Sequence, residues 1–340
     1  MKDHERKLAT VRRIREISPI IAADSLECAR VGGWAVVIRK GQFKAGDMAI
    51  YLEIDSWVPH ELAPFLSKGG EPRIYKGIAG RRLRTLKLRG QLSQGLLLPL
   101  PAQSGFILGD DVTDLLGVKL YELPIPAVLQ GSAKGEFPAF IPRTKQERVQ
   151  NLEVGLFQGR TFEVTEKLNG TSMTVYVDGV MGFGVASRNL DLCRNDVSSY
   201  WVAAHKARLF DILETCSITS ANYALQGELV GEGIQGNPYK LRGCEFRLFD
   251  VFDIGKGKYL TPKERRGFAS IHGIDHVPVL SKEYSPRVGS GYGDVIAMAI
   301  GDSDFSPCAP REGAVFRCVD EPDLHFKVLS NAVLLADEDG

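Results

Sequence analysis

The sequence of 340 residues lacks any long apolar run. No stretch approaches the roughly 18 consecutive apolar residues that a membrane-spanning helix needs. The first residues, MKDHERKLATVRRIRE, also lack the apolar core of a secretion signal. We therefore expect a soluble protein that is cytoplasmic or otherwise intracellular and that does not bind membranes.

Cysteine is scarce, and its spacing excludes the common metal motifs. No C-x-x-C pair is present, and no histidine lies at zinc-finger spacing from a cysteine. We expect reduced thiols and no structural zinc. The six cysteines are Cys28, Cys193, Cys216, Cys244, Cys308 and Cys318.

Net charge is also absent, because 42 basic and 42 acidic side chains cancel. A function that depends on a globally basic protein is therefore excluded. The charges are unevenly distributed, however. Residues 1–130 carry 19 Lys and Arg against 14 Asp and Glu, whereas residues 131–340 carry 23 against 28. The length and this asymmetry favour two domains, of which the first is the more basic.

The amino-terminal part reads as a series of short strands. Apolar or alternating runs at 10–20, 34–39, 48–54 and 95–99 are separated by turn-like segments. Strands of this spacing favour an OB-like β-barrel, a fold that often binds oligonucleotides. We expect this domain and a linker to occupy residues 1–130. Residues from about 100 to 160 are rich in Pro and Gly, with 124–151 at the centre, which predicts a linker followed by the first elements of the second domain.

A cluster of seven basic residues and no acidic one lies between residues 73 and 89. Like charges repel one another unless an anionic partner is present, so we expect contacts with the phosphates of RNA. The alternative is a solvated loop. The residues expected to bind RNA are Arg81, Arg82, Arg84 and Lys87.

Residues 131–340 mix strand and helix patterns. One helix is predicted near 197–216, and another begins at Thr261, where T-P-K-E supplies an N-cap, a Pro at the first position and a Glu at the third. The predicted strands are 161–167, 172–177, 181–187, 223–230, 245–254, 313–319 and 325–329.

Lys167 lies where a predicted strand enters the Asn169-Gly170 turn. Taken alone, such a lysine is most simply a solvated side chain. Six segments in order, however, resemble the motifs of the covalent nucleotidyltransferase superfamily of polynucleotide ligases and RNA capping enzymes. They are KLNG (167–170), SRN (187–189), GEL (227–229), FD (249–250), EGAVFR (312–317) and FK (326–327).

Two longer strings, LQGELVGEGIQGNPY (225–239) and HFKVLSN (325–331), resemble RNA ligases rather than DNA ligases. The expected OB block precedes the motifs, and thirteen residues follow Lys327. This order of domains is similar to that of nick-sealing RNA ligases with an amino-terminal OB domain and no carboxy-terminal domain. The resemblance implies an α+β protein. An OB-like barrel would be followed, over residues 131–340, by an ATP-grasp-like nucleotidyltransferase domain of antiparallel sheets with flanking helices.

The resemblance also implies an activity: an ATP-dependent RNA ligase that seals 3′-OH and 5′-phosphate ends, in a nicked duplex, through lysyl-AMP and RNA-adenylate. ATP and Mg²⁺ or Mn²⁺ would be the cofactors. The implied catalytic residues are Lys167, Glu228, Glu312 and Lys327, and Glu228 and Glu312 would also hold the metal. The implied nucleotide-binding residues are Glu166, Gly170, Arg188, Phe249, Arg317 and Lys327.

The nucleophile must be a neutral amine, whereas a free lysine has a pKa of about 10.4. We therefore expect burial, Lys327, Arg317 and the metal to lower the pKa of Lys167. Asn169 stands where many ligases have Asp, which predicts weaker metal binding because an amide has no negative charge. Arg317 replaces the usual Lys and alters the geometry.

Two other functions stay open. A GTP-dependent capping guanylyltransferase is disfavoured because no OB domain follows the last motif. The other alternative is a non-catalytic RNA-binding protein, because LRGQLSQGLLLP (88–99) is faintly similar to tRNA-binding OB domains.

Overall fold

A computed structural model describes residues 6–101, 103–122, 131–178, 182–218 and 220–336. These residues group into two compact units. The first draws on Met1–Pro124, Gln150–Glu153 and Asn331–Gly340, and the second on Ile125–Val149 and Val154–Ser330. The predicted boundary after residue 130 and the start of the Pro-rich linker core fall in 123–130, which lie outside the described residues.

The first unit consists mainly of short strands. They are β1 (Ala9–Arg13), β2 (Glu16–Pro19), β3 (Leu26–Val31), β4 (Trp34–Arg39), β5 (Met48–Leu52), β6 (Ser56–Pro59), β7 (Arg73–Tyr75), β8 (Ile78–Arg82), β9 (Thr85–Leu88), β10 (Gln91–Gln94), β11 (Leu96–Pro99) and β12 (Lys119–Leu120). They pair antiparallel in the orders β1-β5-β11, β2-β3-β4, β9-β10 and β12-β6-β8-β7.

The prediction of one strand over 10–20 is wrong, because β1 ends at Arg13 and β2 begins at Glu16. The N–H of Ile14 donates to the carbonyl of Asp47, and the N–H of Arg15 donates to that of Arg30. The chain therefore leaves the sheet of β5 and joins the sheet of β3 at this point.

Two segments remote in sequence complete the first unit. Asn151 accepts a hydrogen bond from the indole of Trp34 (2.7 Å) and donates one to Glu53 (2.9 Å). The last helix, α5 (Asn331–Ala336), begins with Asn331, whose side chain accepts a hydrogen bond from Gln94 (3.2 Å). The compact units therefore do not follow a single cut in the sequence.

The second unit contains the other strands and helices. The strands are β13 (Ala133–Glu136), β14 (Glu147–Arg148), β15 (Phe162–Lys167), β16 (Thr171–Asp178), β17 (Gly182–Ala186), β18 (Leu190–Leu192), β19 (Tyr223–Gly231), β20 (Cys244–Asp253), β21 (Lys258–Tyr259), β22 (Val279–Tyr284), β23 (Gly313–Cys318) and β24 (His325–Leu329). The helices are α1 (Ser199–Lys206), α2 (Leu209–Ile218), α3 (Pro262–His272) and α4 (Gly293–Ala297).

These strands form two sheets, in the orders β13-β18-β17-β16-β19-β20-β21 and β14-β24-β23-β15-β22. Between these strands, β14 and β24 pair parallel and the other pairs are antiparallel. Residues of α1, α2 and α3 pack with the larger sheet in one apolar core that includes Val175, Trp201, Leu213, Leu225 and Ala269. The seven predicted strands are confirmed within two residues. The prediction missed β22 and the short strands β13, β14, β18 and β21.

The prediction of one helix over 197–216 is wrong, because α1 and α2 are separate. Arg208 has a φ of 53°, a left-handed conformation that an α-helix does not tolerate. The predicted helix start at Thr261 is confirmed, because Thr261 and Glu264 form a capping box before α3. No helix in the described part of the chain is long and apolar enough to cross a membrane.

Candidate active site

Lys167 is the last residue of β15, which lies between β23 and β22. The turn that follows approaches β19, the strand that carries Glu228. A Cβ on Gly170 would lie 2.4 Å from the carbonyl oxygen of Leu229 and 2.8 Å from Cγ of Glu228. Glycine is therefore required here, because any side chain would collide with β19 at Glu228 and Leu229.

The amine of Lys167 donates hydrogen bonds to both carboxylate oxygens of Glu312, at 2.9 and 2.8 Å. Burial by itself lowers the pKa of Lys167, but the negative charges of Glu312 and Glu228 outweigh burial and raise it. The pKa of Lys167 is therefore raised, whereas the sequence led us to expect that it is lowered. The positive charge of Arg188 opposes the rise.

Glu228 lies in β19 opposite Ser172 of β16. Burial raises the pKa of Glu228 to about 7, although Lys167 opposes the rise, and the nearby Glu312 adds to it. The structure thus brings Lys167, Glu228, Glu312 and Arg188, each from a different predicted motif, within electrostatic reach of one another.

Glu228 and Glu312 offer the hard carboxylate oxygens that Mg²⁺ and Mn²⁺ prefer. No group of three or more His, Cys, Asp or Glu among the described residues forms a complete metal site. Mg²⁺ usually keeps water and is bound by one or two carboxylates together with substrate phosphates. The two glutamates fit an ion of this kind that binds together with a nucleotide.

The side chains of Lys327 and Lys167 lie on the same face of the smaller sheet. It pairs with Val315, which pairs with Thr165, two residues before Lys167 in β15. Arg148 was not predicted as a site residue. It is a buried residue of β14 that lies opposite Lys327 where β14 and β24 pair parallel. No local pattern could identify Arg148, because its strand has two residues and its partner is remote in sequence.

Arg317 was predicted to bind the nucleotide, but its side chain makes other contacts in the structure. Its guanidinium group pairs with the buried carboxylate of Asp250 and donates to the carbonyl of Pro322 at 3.0 Å. Asp250 also accepts from Arg265 at 3.2 Å, and Arg265 pairs with Glu163. Arg317 therefore joins a buried ion-pair network, in which burial lowers the pKa of Arg265 to about 10.

Glu166 is almost fully buried, and burial raises its pKa. Its Oε2 accepts a hydrogen bond from the N–H of Asp304 at 2.8 Å. Its Oε1 has no hydrogen-bond partner among the described residues. The geometry around the buried carboxylate therefore leaves one of its two oxygens without a hydrogen bond.

Tyr239 ends the string 225–239, which resembles RNA ligases, but no role was predicted for it. Its hydroxyl accepts a hydrogen bond from the N–H of Asn169 at 2.7 Å, which fixes the turn after Lys167. Tyr239 packs in an apolar cluster with Leu168 and Val230, and Phe249 packs against the same cluster. Phe249, one of the predicted nucleotide-binding residues, thus lies close to the turn that follows Lys167.

A polar cleft adjoins Glu228, because Ser172, its cross-strand partner, is part of the lining. Three basic side chains line it, which favours phosphate groups as ligands. The lining residues are Phe137, Arg143, Thr144, Lys145, Ser172, Thr174, Arg188, Asn189 and Gln226.

The predicted RNA-binding residues belong to the first unit. Arg81 and Arg82 end β8, and Lys87 lies exposed in β9, so this cluster is not simply a loop. Arg82 pairs with Asp55 at 2.9 Å, and Arg81 donates to the carbonyl of Glu71 at 2.8 Å.

Comparison with known proteins identifies the two parts of the chain. The RNA ligase family matches residues 160–329, and an OB-fold domain family matches residues 8–100. No curated protein matches the chain. These matches and the sheets described above confirm the predicted α+β class with an amino-terminal OB domain.

Solved structures of one relative resemble almost the whole chain. The Naegleria gruberi RNA ligase with PPi is 44% identical, with a TM-score of 0.87, and the match covers 97% of this chain and 98% of that one. A mutant of that ligase with ATP and Mn is 43% identical, with a TM-score of 0.88 and coverage of 96% and 98%. A mutant with AMP and Mn is also 43% identical, with a TM-score of 0.88 and coverage of 97% and 98%. With this identity over nearly its whole length, and with Lys167, Glu228 and Glu312 brought together as the motifs require, the chain belongs to the RNA ligase family.

Proposed function

We propose that the protein is an ATP-dependent RNA ligase that joins 3′-OH and 5′-phosphate ends, in a nicked duplex, through lysyl-AMP and RNA-adenylate. The observation that carries the proposal is the placement of Lys167 between Glu312 and Glu228 in a member of this family. Relatives solved with ATP and Mn, and with AMP and Mn, support ATP and a divalent cation as cofactors. We also propose an intracellular location, because scattered single cysteines are typical of a reducing compartment.

In the first step, the neutral amine of Lys167 attacks the α-phosphorus of ATP. A P–N bond forms, the bond to the β-phosphate oxygen breaks, and pyrophosphate leaves. In the structure the carboxylates of Glu312 and Glu228 hold this amine protonated, so Lys167 must lose a proton before it attacks. A divalent cation bound to Glu228 and Glu312 would neutralise the charges that keep the amine protonated.

In the second step, an oxygen of the RNA 5′-phosphate attacks the AMP phosphorus. The P–N bond breaks, and the nitrogen of Lys167 regains a proton. In the third step, the RNA 3′-OH attacks the 5′-phosphorus, AMP leaves, and a phosphodiester bond remains. We assign the basic cleft beside Glu228 to the phosphates of these steps, because Arg143, Lys145 and Arg188 line it.

Adenine would bind beside the turn that follows Lys167. Phe249 and Glu166 would each supply a different contact to the base. Phe249 offers a ring for stacking. The Oε1 of Glu166 offers an acceptor for the adenine amino group. Lys327, on the face of Lys167, would stabilise negative charge on the phosphates.

Labelled nucleotides separate this proposal from its alternatives. The protein is incubated with ATP or GTP labelled at the α-phosphate and then run on a denaturing gel. Covalent AMP supports the ligase. Covalent GMP would indicate a capping-type guanylyltransferase, and no covalent label would indicate a non-catalytic RNA-binding protein.

Arg188 is expected to act after lysine adenylylation. Its guanidinium group can bind a phosphate with two hydrogen bonds. Arg188→Ala should therefore slow sealing of a 5′-phosphorylated nick by about 10-fold or more, with a smaller effect on enzyme-AMP formation. Single-turnover rates of both steps provide the measurement. A larger loss in enzyme-AMP formation would place Arg188 at the ATP instead.

The first unit is proposed to bind RNA without taking part in lysine adenylylation. Neutralising Arg81, Arg82, Arg84 and Lys87 together should weaken RNA binding by roughly 10-fold or more and flatten its salt dependence, because fewer counterions are released. Labelling by ATP should stay normal. Binding and sealing are measured across a salt series. Sealing like that of the wild type at every salt concentration would show that this cluster does not contact RNA.

A further inference from the structure

A second cavity lies in the first unit, outside every ligase motif, and combines three aromatic rings with three arginines. Its volume is about 220 Å³. It is built on the sheet β12-β6-β8-β7. Its lining includes Trp57, Tyr75, Tyr121, Arg73, Arg81 and Arg82.

Pairing within this sheet fixes the indole of Trp57. Trp57 in β6 lies opposite Arg82 in β8, so both side chains leave the same face. A Cβ on Gly80 would lie 2.8 Å from Nε1 of Trp57 and 2.2 Å from the carbonyl oxygen of Val58. Because Gly80 has no side chain, the indole can lie across β8, where it donates to the carbonyl of Ile78 at 3.0 Å.

The three rings form one rigid wall. The rings of Trp57 and Tyr121 stack with centroids 5.8 Å apart and planes 19° from parallel, and the Tyr75 centroid lies 4.9 Å from that of Tyr121. The hydroxyl of Tyr75 accepts from the N–H of Glu122 at 3.0 Å. A flat ligand could therefore stack here with little loss of conformational entropy.

The arginines give the cavity an excess of positive charge. The guanidinium group of Arg82 lies 4.9 Å from the ring centroid of Tyr121 and pairs with Asp55, a carboxylate that is shared with Arg6. No acidic residue is among the described residues that line the cavity. The buried Nε of Arg81 has no hydrogen-bond partner in the described part of the chain. A ligand with both a flat ring and a negative charge fits these features.

We propose that this cavity binds one unstacked base of the RNA substrate together with an adjoining phosphate. Aromatic rings stack on any base, and arginine contacts the backbone, which is the usual chemistry of single-stranded RNA recognition. The volume is below the roughly 300–1,000 Å³ of typical ligand pockets, so it suits one base rather than several. The proposal rests on the proposed function in taking RNA as the partner. An acidic peptide is the alternative ligand that the experiment must exclude.

The test replaces the ring of Tyr121 without removing its apolar contacts. Tyr121→Leu loses the stacking surface, and Tyr121→Phe keeps it and serves as the matched control. Affinity of the full-length protein for a fluorescent RNA with a single-stranded segment is measured by anisotropy at fixed salt. Tyr121→Leu should raise Kd roughly tenfold or more, because base stacking on an aromatic side chain contributes that much. Tyr121→Phe should bind like the wild type.

RNAs with one abasic position, moved along the strand, identify the base. At the position that occupies the cavity, wild type and Tyr121→Leu should bind equally, whereas elsewhere the difference should persist. A difference that no abasic position removes, or equal binding on every RNA, overturns the proposal. The proposal is also overturned if Tyr121→Leu loses binding to a poly-Glu peptide while its binding to RNA is unchanged. Free AMP that competes as well as RNA would show a mononucleotide site instead.

Two controls keep the result interpretable. If Tyr121→Leu does not fold, Arg73→Gln tests the same cavity by its charge and leaves the three rings intact. Labelling of Lys167 by ATP should be normal in all these variants. A wild type that binds RNA through Tyr121 but neither labels nor seals would refute the proposed function and leave this inference standing.

Discussion

Lys167→Ala is expected to abolish covalent labelling by ATP and, with it, sealing of RNA. The amine is the atom that becomes bonded to AMP, and no other side chain can replace it at the end of β15. Lys167→Arg should fail as well, because a guanidinium group stays protonated at any working pH. The measurement is transfer of labelled AMP to the protein, followed on a denaturing gel.

The chemistry of the adduct provides a second readout in the wild type. A P–N bond should be labile in acid and stable in alkali, unlike an acyl phosphate. Both Lys167 variants should retain the wild-type fold when examined by circular dichroism. Full labelling of Lys167→Ala would mean that another residue is the nucleophile and that the central assignment is wrong.

Glu228→Ala, Glu312→Ala and Lys327→Ala should each reduce sealing on the order of 10²- to 10³-fold. Glu312 and Glu228 set the charge around the amine of Lys167 and are the candidate metal ligands, and Lys327 lies on the same face of the sheet. Removing one charged group that acts in the transition state commonly costs a few kcal/mol, which corresponds to this change in rate.

Single-turnover sealing of a nicked RNA at saturating ATP measures these losses. Glu214→Ala, at an exposed position of α2, is the matched control and should be normal. Near-normal rates in all three variants would mean that the motif residues are not part of the catalytic machinery.

The order of the motifs identified four side chains that the structure places near one another. Lys167, Glu228, Glu312 and Arg188 are separated by up to 145 residues, yet they lie within electrostatic reach of one another. Local signals also predicted several elements. The capping box at Thr261 depends on residues four positions apart or fewer, and alternation identified strands such as β24.

Features that depend on remote packing could not be predicted. The raised pKa of Lys167 reflects the balance between burial and two carboxylates, Glu228 in β19 and Glu312 just before β23. Residue types alone do not give the distances between these groups. Arg317 ends the predicted motif 312–317, which was expected to contact the nucleotide. In the structure its side chain instead forms an ion pair with the buried Asp250. The break at Arg208 depends on one backbone torsion that the apolar pattern of 197–216 does not contain.

The sequence by itself determined the family and the fold class with an amino-terminal OB domain, and it predicts Lys167 as the nucleophile, because these depend on residue types and on their order along the chain. Tertiary structure alone decided the protonation of Lys167, the position of Arg148 beside Lys327 and the aromatic cavity around Trp57. It also decided that the helix at Asn331 and the segment Gln150–Glu153 group with the first unit. Charge balance, strand register and cavity shape arise from contacts between residues that are far apart in sequence, so no local pattern can encode them.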